Sequence, residues 1–502
     1  MVLLRNAGFN FLGAALPAVL AIVTIPYVVT TLGVGTYGLL VLVTSIVGYF
    51  AILDINVTAG STKYVAQYHA AGDTRRMNET LCFGILIYGA IGIVGMACLW
   101  ITAPYLVAQV FKIAVDRQAE AVLAIQIAAG GFVIGQVQAY LQSLPGALMR
   151  YDISARLEAG FGSAVPMATV ALLYAGYGLV ELVWLRVGAS LLQGLLVWQL
   201  LRRLLPQFHW ARPGQETRRL LLSFSAYSFL SRLAALTYAN ADKLIISARI
   251  GVSALTYYVV PTTLVNRVMS LIFRLSGVMF PHASGLAAQN RLAELKSDYL
   301  AASRYMLFIN GAIALTLATL AGPILTLWLS PSFAQAGTAV MVMIAMAQWV
   351  DSLTNLPSLV NDGLGHPKVS GLFALGRAAF GLGLIAIGVS HFGIEGAAGA
   401  HLLAAIVMST IFVWYVHGRT VPIPLREIVR NAYLPAVAAL LPAAGLGYWL
   451  AAHVGGSWLH LLGAGGTIGS YLLLAGLFLV CKKEHRLTLI RQLRSQKGAH
   501  TP

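Results

Sequence analysis

Apolar residues in this chain come in long unbroken runs, not in narrow stripes or two-residue alternation. Each run is about 20 residues or longer, enough for a helix to cross roughly 30 Å of hydrocarbon. Such runs argue for helices and against a barrel, whose strands would read as short alternating segments. The pattern predicts about fourteen membrane-spanning helices. They fall at about 7–31, 37–59, 80–102, 119–143, 157–176, 179–201, 221–247, 253–279, 301–329, 334–361, 369–389, 393–416, 431–452 and 458–481. The first run, after Arg5, is too long for a signal-peptide core and no small-residue cleavage site follows it, so it reads as a retained helix.

The basic residues are placed asymmetrically between these spans. Loops after odd-numbered spans hold only Lys112, Arg117 and Arg249, whereas the N-terminus, the even-numbered loops and the tail are basic. By the positive-inside rule both termini lie in the cytoplasm, as in a multi-pass membrane protein with an even number of spans. Composition narrows the class further. The 502 residues are 58% hydrophobic and only 10% charged, against roughly 25% charged in a soluble domain, so no large soluble domain fits. The net charge of +16 is topological, densest at Arg202, Arg203, Arg212, Arg218 and Arg219 and from Lys482 to Lys497. Its natural partner is anionic membrane lipid, and nucleic acid is not needed to explain it. Cys82, Cys98 and Cys481 form neither a disulfide framework nor a metal spacing, and no metal or cofactor is expected.

Parts of the chain are written twice. "QVQAYLQSLPGALM" (Gln136–Met149) is echoed 212 positions on by "QWVDSLTNLPSLVN" (Gln348–Asn361), with Gln136/Gln348, Leu141/Leu353, Leu144/Leu356 and Pro145/Pro357 in register. "LGVGTYGLL" (Leu32–Leu40) returns as "IGVSALTYYVV" (Ile250–Val260), and "YGLVELVWLR" (Tyr177–Arg186) as "FGIEGAAGAH" (Phe392–His401). "AAGDTRRMNE" answers "AAQNRLAELK". Spans 1–6 and 7–12 therefore read as two copies of a six-helix bundle. Six is even, so both copies keep one orientation, as in parallel-repeat transporters that rock about a central cavity. The chain divides into an N-lobe at 1–205, a basic cytoplasmic linker at 206–220, a C-lobe at 221–417, two accessory spans at 418–481 and a basic cytoplasmic tail at 482–502. Pro145 and Pro357 are expected to kink or end the echoed helices, and Pro17, Pro26 and Pro261 add weak points elsewhere.

Charges inside spans mark a polar path or an ion pair, because an unpaired ion in hydrocarbon costs at least a few kcal/mol. The basic ones are Arg186, Arg232, Lys243, Arg267, Arg274 and Arg377; the acidic ones are Asp54, Asp242 and Asp351. Arg274 and Lys243 lie near enough to span ends to snorkel. Arg232 and Arg267 do not, and either bind an anion or pair with Asp242 or Asp351. Gln348, Asp351 and Asn355 step along one helix face, as do Gln138 and Gln142. These stripes either line a sugar-tolerant lumen or bond helix to helix. Tyr140, Tyr227, Tyr238 and Trp349 could stack on sugar faces or serve packing.

Family resemblance enters here. Leu32-Gly33 with Tyr37-Gly38-Leu39, then Asp54, then Tyr64 and Tyr68 in an amphipathic loop, resemble the second span of bacterial oligosaccharide-lipid flippases. These form the polysaccharide transporter branch of the multidrug/oligosaccharidyl-lipid/polysaccharide exporter superfamily. "GHPKVSGL" and "FGIEGAAGA" resemble that family's eleventh and twelfth spans, and the likeness extends over the whole chain. Asn56 departs from the pattern, which usually has Gly there. The resemblance implies two six-helix lobes in a V around a cavity, with two extra helices that form either a groove for an isoprenoid tail or a structural wall. It implies flipping of an undecaprenyl-diphosphate-linked oligosaccharide (an O-antigen, capsule or exopolysaccharide unit) from inner to outer leaflet. On that reading Arg232, Arg267, Arg186, Arg274 and Arg377 are candidates for the diphosphate. Gln138, Gln142, Gln348, Asp351 and Asn355 form the polar lumen, and Asp54, Asp242 and Asp351 are candidates for coupling an ion. Polysaccharide polymerases or assembly proteins are candidate partners. The alternatives are a small-molecule or drug cation antiporter of the same fold, and a polysaccharide polymerase or ligase. An antiporter calls for a carboxylate-dominated lumen, and a polymerase for a larger outer loop than 103–118. The sequence shows no HExxH and no phosphate-binding glycine loop, so a transporter and not an enzyme is expected.

Overall fold

A computed structural model describes residues 2–54, 57–276, 279–481 and 486. Side chains are described except at 2–15, 151, 223–239, 271, 274–276, 280–282, 287 and 288. The side chains of Tyr227, Arg232, Tyr238 and Arg274, residue Asn56, and the tail apart from Arg486 thus lie outside the described residues.

Among the described residues the chain is all-helical. Its helices are α1 (Val2–Phe50), α2 (Val57–Ala71), α3 (Thr74–Tyr105), α4 (Val115–Ala147), α5 (Tyr151–Tyr174), α6 (Leu179–Leu204), α7 (Gln215–Arg249) and α8 (Val252–Ser276). They continue with α9 (Met279–Ala288), α10 (Leu292–Thr319), α11 (Ala321–Trp328), α12 (Pro331–Gly363), α13 (Pro367–Arg419), α14 (Leu425–Ile428), α15 (Leu434–His453) and α16 (Trp458–Ala475). Ten described segments are long and apolar enough to cross a membrane. They do not include α7 and α8, whose side chains are only partly described. At ~1.5 Å per residue α13 would run ~80 Å, too long for one crossing. It kinks at Gly393 (φ 60°), and α1 kinks at Gly33 (φ 77°), where the hydropathy pattern predicted span boundaries.

Local sequence explains several helix starts. The Asp73 carboxylate accepts the Arg76 N–H at 3.0 Å, and the Ser330 hydroxyl accepts that of Phe333 at 3.2 Å with Pro331 in the first turn. Glu181 reaches back to the Gly178 N–H at 2.9 Å. Two expectations change. The tyrosine-containing loop after Asp54 is the helix α2, on which Tyr64 and Tyr68 stack with centroids 6.1 Å apart. Of the echoed prolines, Pro145 lies two residues from the end of α4, while α12 continues past Pro357 to Gly363.

The internal repeat is written in backbone geometry as well as sequence. Gly33 and Gly251, Gly72 and Asn290, Met149 and Gly365, and Gly176 and Gly393 all take positive φ, and each pair is 216–218 positions apart. Positive φ is a steric demand of a turn, so helix composition alone cannot produce this match.

The chain forms two compact units. The first comprises Met1–Val260 with Ala378–Ala397, the second Pro261–Arg377 with Ala398–Pro502. In the first, α4 packs between α3 and α6, α1 lies on α5, and α7 lies against α1, α2 and α3. Val65, Leu81, Tyr88, Tyr140, Leu144 and Val197 form its inner core. In the second, α10 packs on α12 and α15, and α16 packs on α15. Leu307, Phe308, Leu440, Leu461 and Ile468 fill that seam, while Leu441, Leu462 and Leu473 on the opposite faces of α15 and α16 are exposed.

The basic linker is fastened in place. The Asn78 amide donates to the Gln207 carbonyl at 3.2 Å and meets His209 Nδ1 at 2.8 Å. The Glu79 carboxylate, buried in α3, accepts the Gly214 N–H at 3.1 Å and the Thr217 hydroxyl at 2.8 Å. Glu79 thereby caps the N-terminus of α7, where a negative group is favoured by the helix dipole.

Candidate functional site: a polar cavity in each unit

In the first unit, three helices present stripes of small residues to one another. Thr44, Val47 and Gly48 line a cleft from the second arm of α1, with Ala51 just beyond; Ala128, Gly131, Gly135 and Ala139, with the ring of Phe132 among them, line it from α4; Val183, Val187 and Ser190 line it from α6. Positions three and four apart share a helix face, so these side chains border one continuous cleft of about 480 Å³. Arg186, Gln136, Asp54, Thr58 and Tyr88 complete its lining; of these Arg186 is exposed, while Gln136, Asp54 and Tyr88 are buried.

Close contacts fix the register of this cleft. Gly131 lies against Val187 and Gly194 against Gln138, both 56 positions apart, so α4 and α6 run parallel. Gly92 lies against Val133 and Gly84 against Tyr140, so α3 runs antiparallel to α4. Arg186 is therefore level with Gly130, and Tyr88 is nearly level with Gln136. Six residues of rise separate the two levels, roughly 9 Å along the axis.

Asp54 sits where α1 gives way to a short 3₁₀ turn, Ala51–Leu53. The Tyr88 hydroxyl donates to its Oδ1 at 2.6 Å, and the Thr58 N–H donates to the Tyr88 oxygen at 3.0 Å. Tyr88 is held flat against Tyr140 at 5.2 Å, and Tyr140 in turn reaches the Leu81 carbonyl at 3.3 Å. Asp54 is only 3% exposed, so this network fixes the carboxylate rigidly at one end of the cleft. Arg186 is exposed towards the cleft, and among the described residues no carboxylate lies within ion-pair distance of it.

In the second unit, Arg377 on α13 makes a two-pronged ion pair with Asp351 on α12. Ser409 adds a hydroxyl to Asp351 at 3.4 Å. Thr354, Ser358, Ser370, Phe373, Met408 and Phe412 complete a second polar cleft around the pair. A planar guanidinium fork suits a carboxylate, and here it neutralises both charges within the unit.

The remaining sequence candidates are placed as follows. Arg267 is exposed on α8; its neighbour Asn266 accepts the Gln348 amide at 2.8 Å, tying α8 to α12. Gln142 accepts from both Gln138 and Gln193, the latter at 2.7 Å, tying α4 to α6. Both glutamine stripes thus bond helix to helix. Asn355 is half-buried on the Asp351 face of α12. Asp242 is buried, accepts the Tyr258 hydroxyl at 2.9 Å and lines neither cleft. Trp349 donates to the Leu307 carbonyl at 3.2 Å and, like Tyr140, serves packing. The arginines Arg232 and Arg274 have side chains outside the described residues. Sequence reasoning passed over Tyr88, Thr58, Ser190 and the Asn78–Glu79 clasp. A tyrosine and a carboxylate inside apolar runs were the available signals.

The family model described as polysaccharide biosynthesis protein matches residues 31–337. The chain belongs to that family. The resemblance read from Leu32–Leu39 and Phe392–Ala400 thus holds at family level. A relative in Bacillus subtilis (strain 168), the "uncharacterized membrane protein EpsK", is 21% identical over 98% of both chains. The "probable flippase AglR" of Haloferax volcanii is 24% identical over 78% of this chain and 79% of its own. Among solved structures, the lipid II flippase MurJ in an inward closed conformation superposes with a TM-score of 0.71 at 12% identity, covering 95% of this chain and 99% of its own. An inward-facing multidrug resistance MATE transporter of the MOP superfamily gives 0.60 at 13% identity, covering 83% and 93%. The chain has the fold of these membrane transporters.

Proposed function

We propose that the protein is a flippase that carries a polyprenyl-diphosphate-linked oligosaccharide from the inner to the outer leaflet of a bacterial inner membrane by alternating access. Both termini are cytoplasmic, the spans number fourteen, and the lobes are 1–205 and 221–417. The observation that carries this reading is Arg186: a cation open to a cleft within a membrane-spanning unit, with no described carboxylate at ion-pair distance. Such a charge is costly unless it meets water or an anion, and its fork suits phosphate oxygens. Arg267, exposed on α8, remains a candidate for the diphosphate, and so on sequence alone do Arg232 and Arg274, whose side chains lie outside the described residues. Arg377 joins only if it releases Asp351. The likeness to the probable flippase AglR and to the lipid II flippase MurJ supports a lipid-linked substrate. Asp54, Asp242 and Asp351 remain the candidates for ion coupling, and polymerase or assembly proteins the candidate partners.

The test uses the purified chain in liposomes. Translocation of a polyprenyl-diphosphate-linked oligosaccharide is followed with and without proton or sodium gradients, beside uptake of a fluorescent cationic drug. The expected result is translocation of the lipid-linked sugar and no drug transport. Drug transport alone would favour an antiporter of the same fold.

A further inference from the structure

Helix α6 turns one face to the cleft, through Val183, Val187 and Ser190, and carries a second stripe on another face. Trp184, Leu191, Leu195 and Arg202 follow one another at intervals of seven, four and seven residues, so they share a line along the helix. All four are exposed. In a helix long and apolar enough to cross the bilayer, an exposed apolar line meets lipid. From Leu191 to Arg202 the helix rises roughly 16 Å, about half the ~30 Å hydrocarbon layer and so the depth of one leaflet.

The foot of this stripe is charged. Arg202 and Arg203 are both exposed, and among the described residues neither meets a carboxylate at ion-pair distance. The linker closes on the same foot. Phe208 packs edge-on against Trp198 at 5.2 Å, and Arg202 borders the apolar crevice that these two rings share with Leu201 and Leu205. Just beyond, the Ala211 N–H donates to Cys82 Sγ at 3.3 Å. Cys82 lies in the apolar run of α3, roughly 12 Å along the helix from Thr74. The linker therefore holds Trp210 at the boundary between headgroups and hydrocarbon, where it is 58% exposed. Tryptophan concentrates at that depth, and exposed arginines there attract anionic headgroups.

We infer that the foot of α6 binds an anionic phospholipid of the leaflet that the linker borders. Its phosphate lies on Arg202 and Arg203, Trp210 flanks its glycerol region, and an acyl chain runs along Leu195 and Leu191. A zwitterionic choline lipid would bring a cation towards the two guanidinium groups, so the site selects net negative charge. This site is separate from the cleft at Arg186 and independent of the flippase reading.

The experiment uses the full chain in lipid nanodiscs and two probes, a phosphatidylglycerol and a phosphatidylcholine with the same photoreactive group in one acyl chain. Peptide mapping should find the phosphatidylglycerol probe on Leu191–Trp210 at least about fivefold more often than the phosphatidylcholine probe. Arg202→Gln with Arg203→Gln should abolish that preference. Lys482→Gln with Lys483→Gln removes the same charge from the tail and should preserve it. Thermal unfolding reports that both variants fold. A short prenyl diphosphate at about one hundredth of the probe concentration should leave the labelling unchanged. Equal labelling by the two probes in the wild type, a preference that survives loss of both arginines, or one lost equally in the tail variant would overturn the inference. Displacement by the dilute prenyl diphosphate would assign the site to the transported lipid and overturn it too, while leaving the flippase reading intact.

Discussion

The Thr256 hydroxyl donates to the Val34 carbonyl at 2.7 Å, and the two residues belong to segments that repeat each other, Leu32–Leu40 and Ile250–Val260. Gly38 permits the approach, since a Cβ there would lie 1.9 Å from the Val252 carbonyl oxygen. Both residues lie in the first compact unit, so the two copies of this repeated segment touch within it. On the flippase reading it seals the outer side and parts when substrate leaves. A Cβ at Gly35 would sit 3.7 Å from Ser253 Oγ, within reach of disulfide geometry. In a background lacking Cys82, Cys98 and Cys481, the pair Gly35→Cys and Ser253→Cys should cross-link on oxidation and stop translocation. Reductant should restore it. Full transport by the cross-linked protein would show that this contact does not move.

The Glu79 clasp predicts a stability effect confined to the linker. Glu79→Ala removes the acceptor for the Gly214 N–H and the Thr217 hydroxyl. Stranded buried donors cost about 1–3 kcal/mol, so the thermal midpoint should fall. The halves 1–210 and 211–502, co-expressed, should associate through α3, because Glu79 of one half holds α7 of the other. Glu79→Ala should weaken that association. Unchanged association would place the joint between the halves elsewhere.

The second unit makes an opposite prediction for its arginine. Asp351→Ala leaves Arg377 without its two-pronged partner, a loss of roughly 3–5 kcal/mol for a buried pair. The double variant Asp351→Ala with Arg377→Met should recover much of it. Arg186→Ala, with no described carboxylate partner, should leave the thermal midpoint nearly unchanged. A double variant no more stable than Asp351→Ala would deny that the pair is a self-contained structural element.

Much of this was legible in the sequence, for physical reasons. Hydropathy runs mark spans because the bilayer tolerates nothing else, and Gly33 and Gly393 fall where the runs break. The echoes at Leu32 and Ile250 gave the repeat, which positive φ at Gly33 and Gly251 repeats in geometry. The family followed from Tyr37-Gly38-Leu39 and Asp54. What stayed hidden depends on pairing across helices. Arg377 and Arg186 look alike in sequence, yet one is met by Asp351 and the other opens to a cleft. The glutamine stripes left a lumen and helix-to-helix bonds both open, and their partners Gln193 and Asn266 emerge only from the packing. Tyr88 was hidden because a single tyrosine in an apolar run reads as packing until Asp54 is placed beside it.

The central claim, that the protein moves a diphosphate-linked sugar through the grip of Arg186, is tested most directly by translocation in liposomes with Arg186 replaced. Arg186→Ala should cut the rate of translocation of a polyprenyl-diphosphate-linked oligosaccharide at least tenfold, with expression and thermal midpoint preserved. Arg186→Lys should restore only part of it, because an ammonium keeps the charge and loses the fork. Arg267→Ala should fall in the same way. Folded Ala variants at both positions that translocate at the wild-type rate would contradict the account.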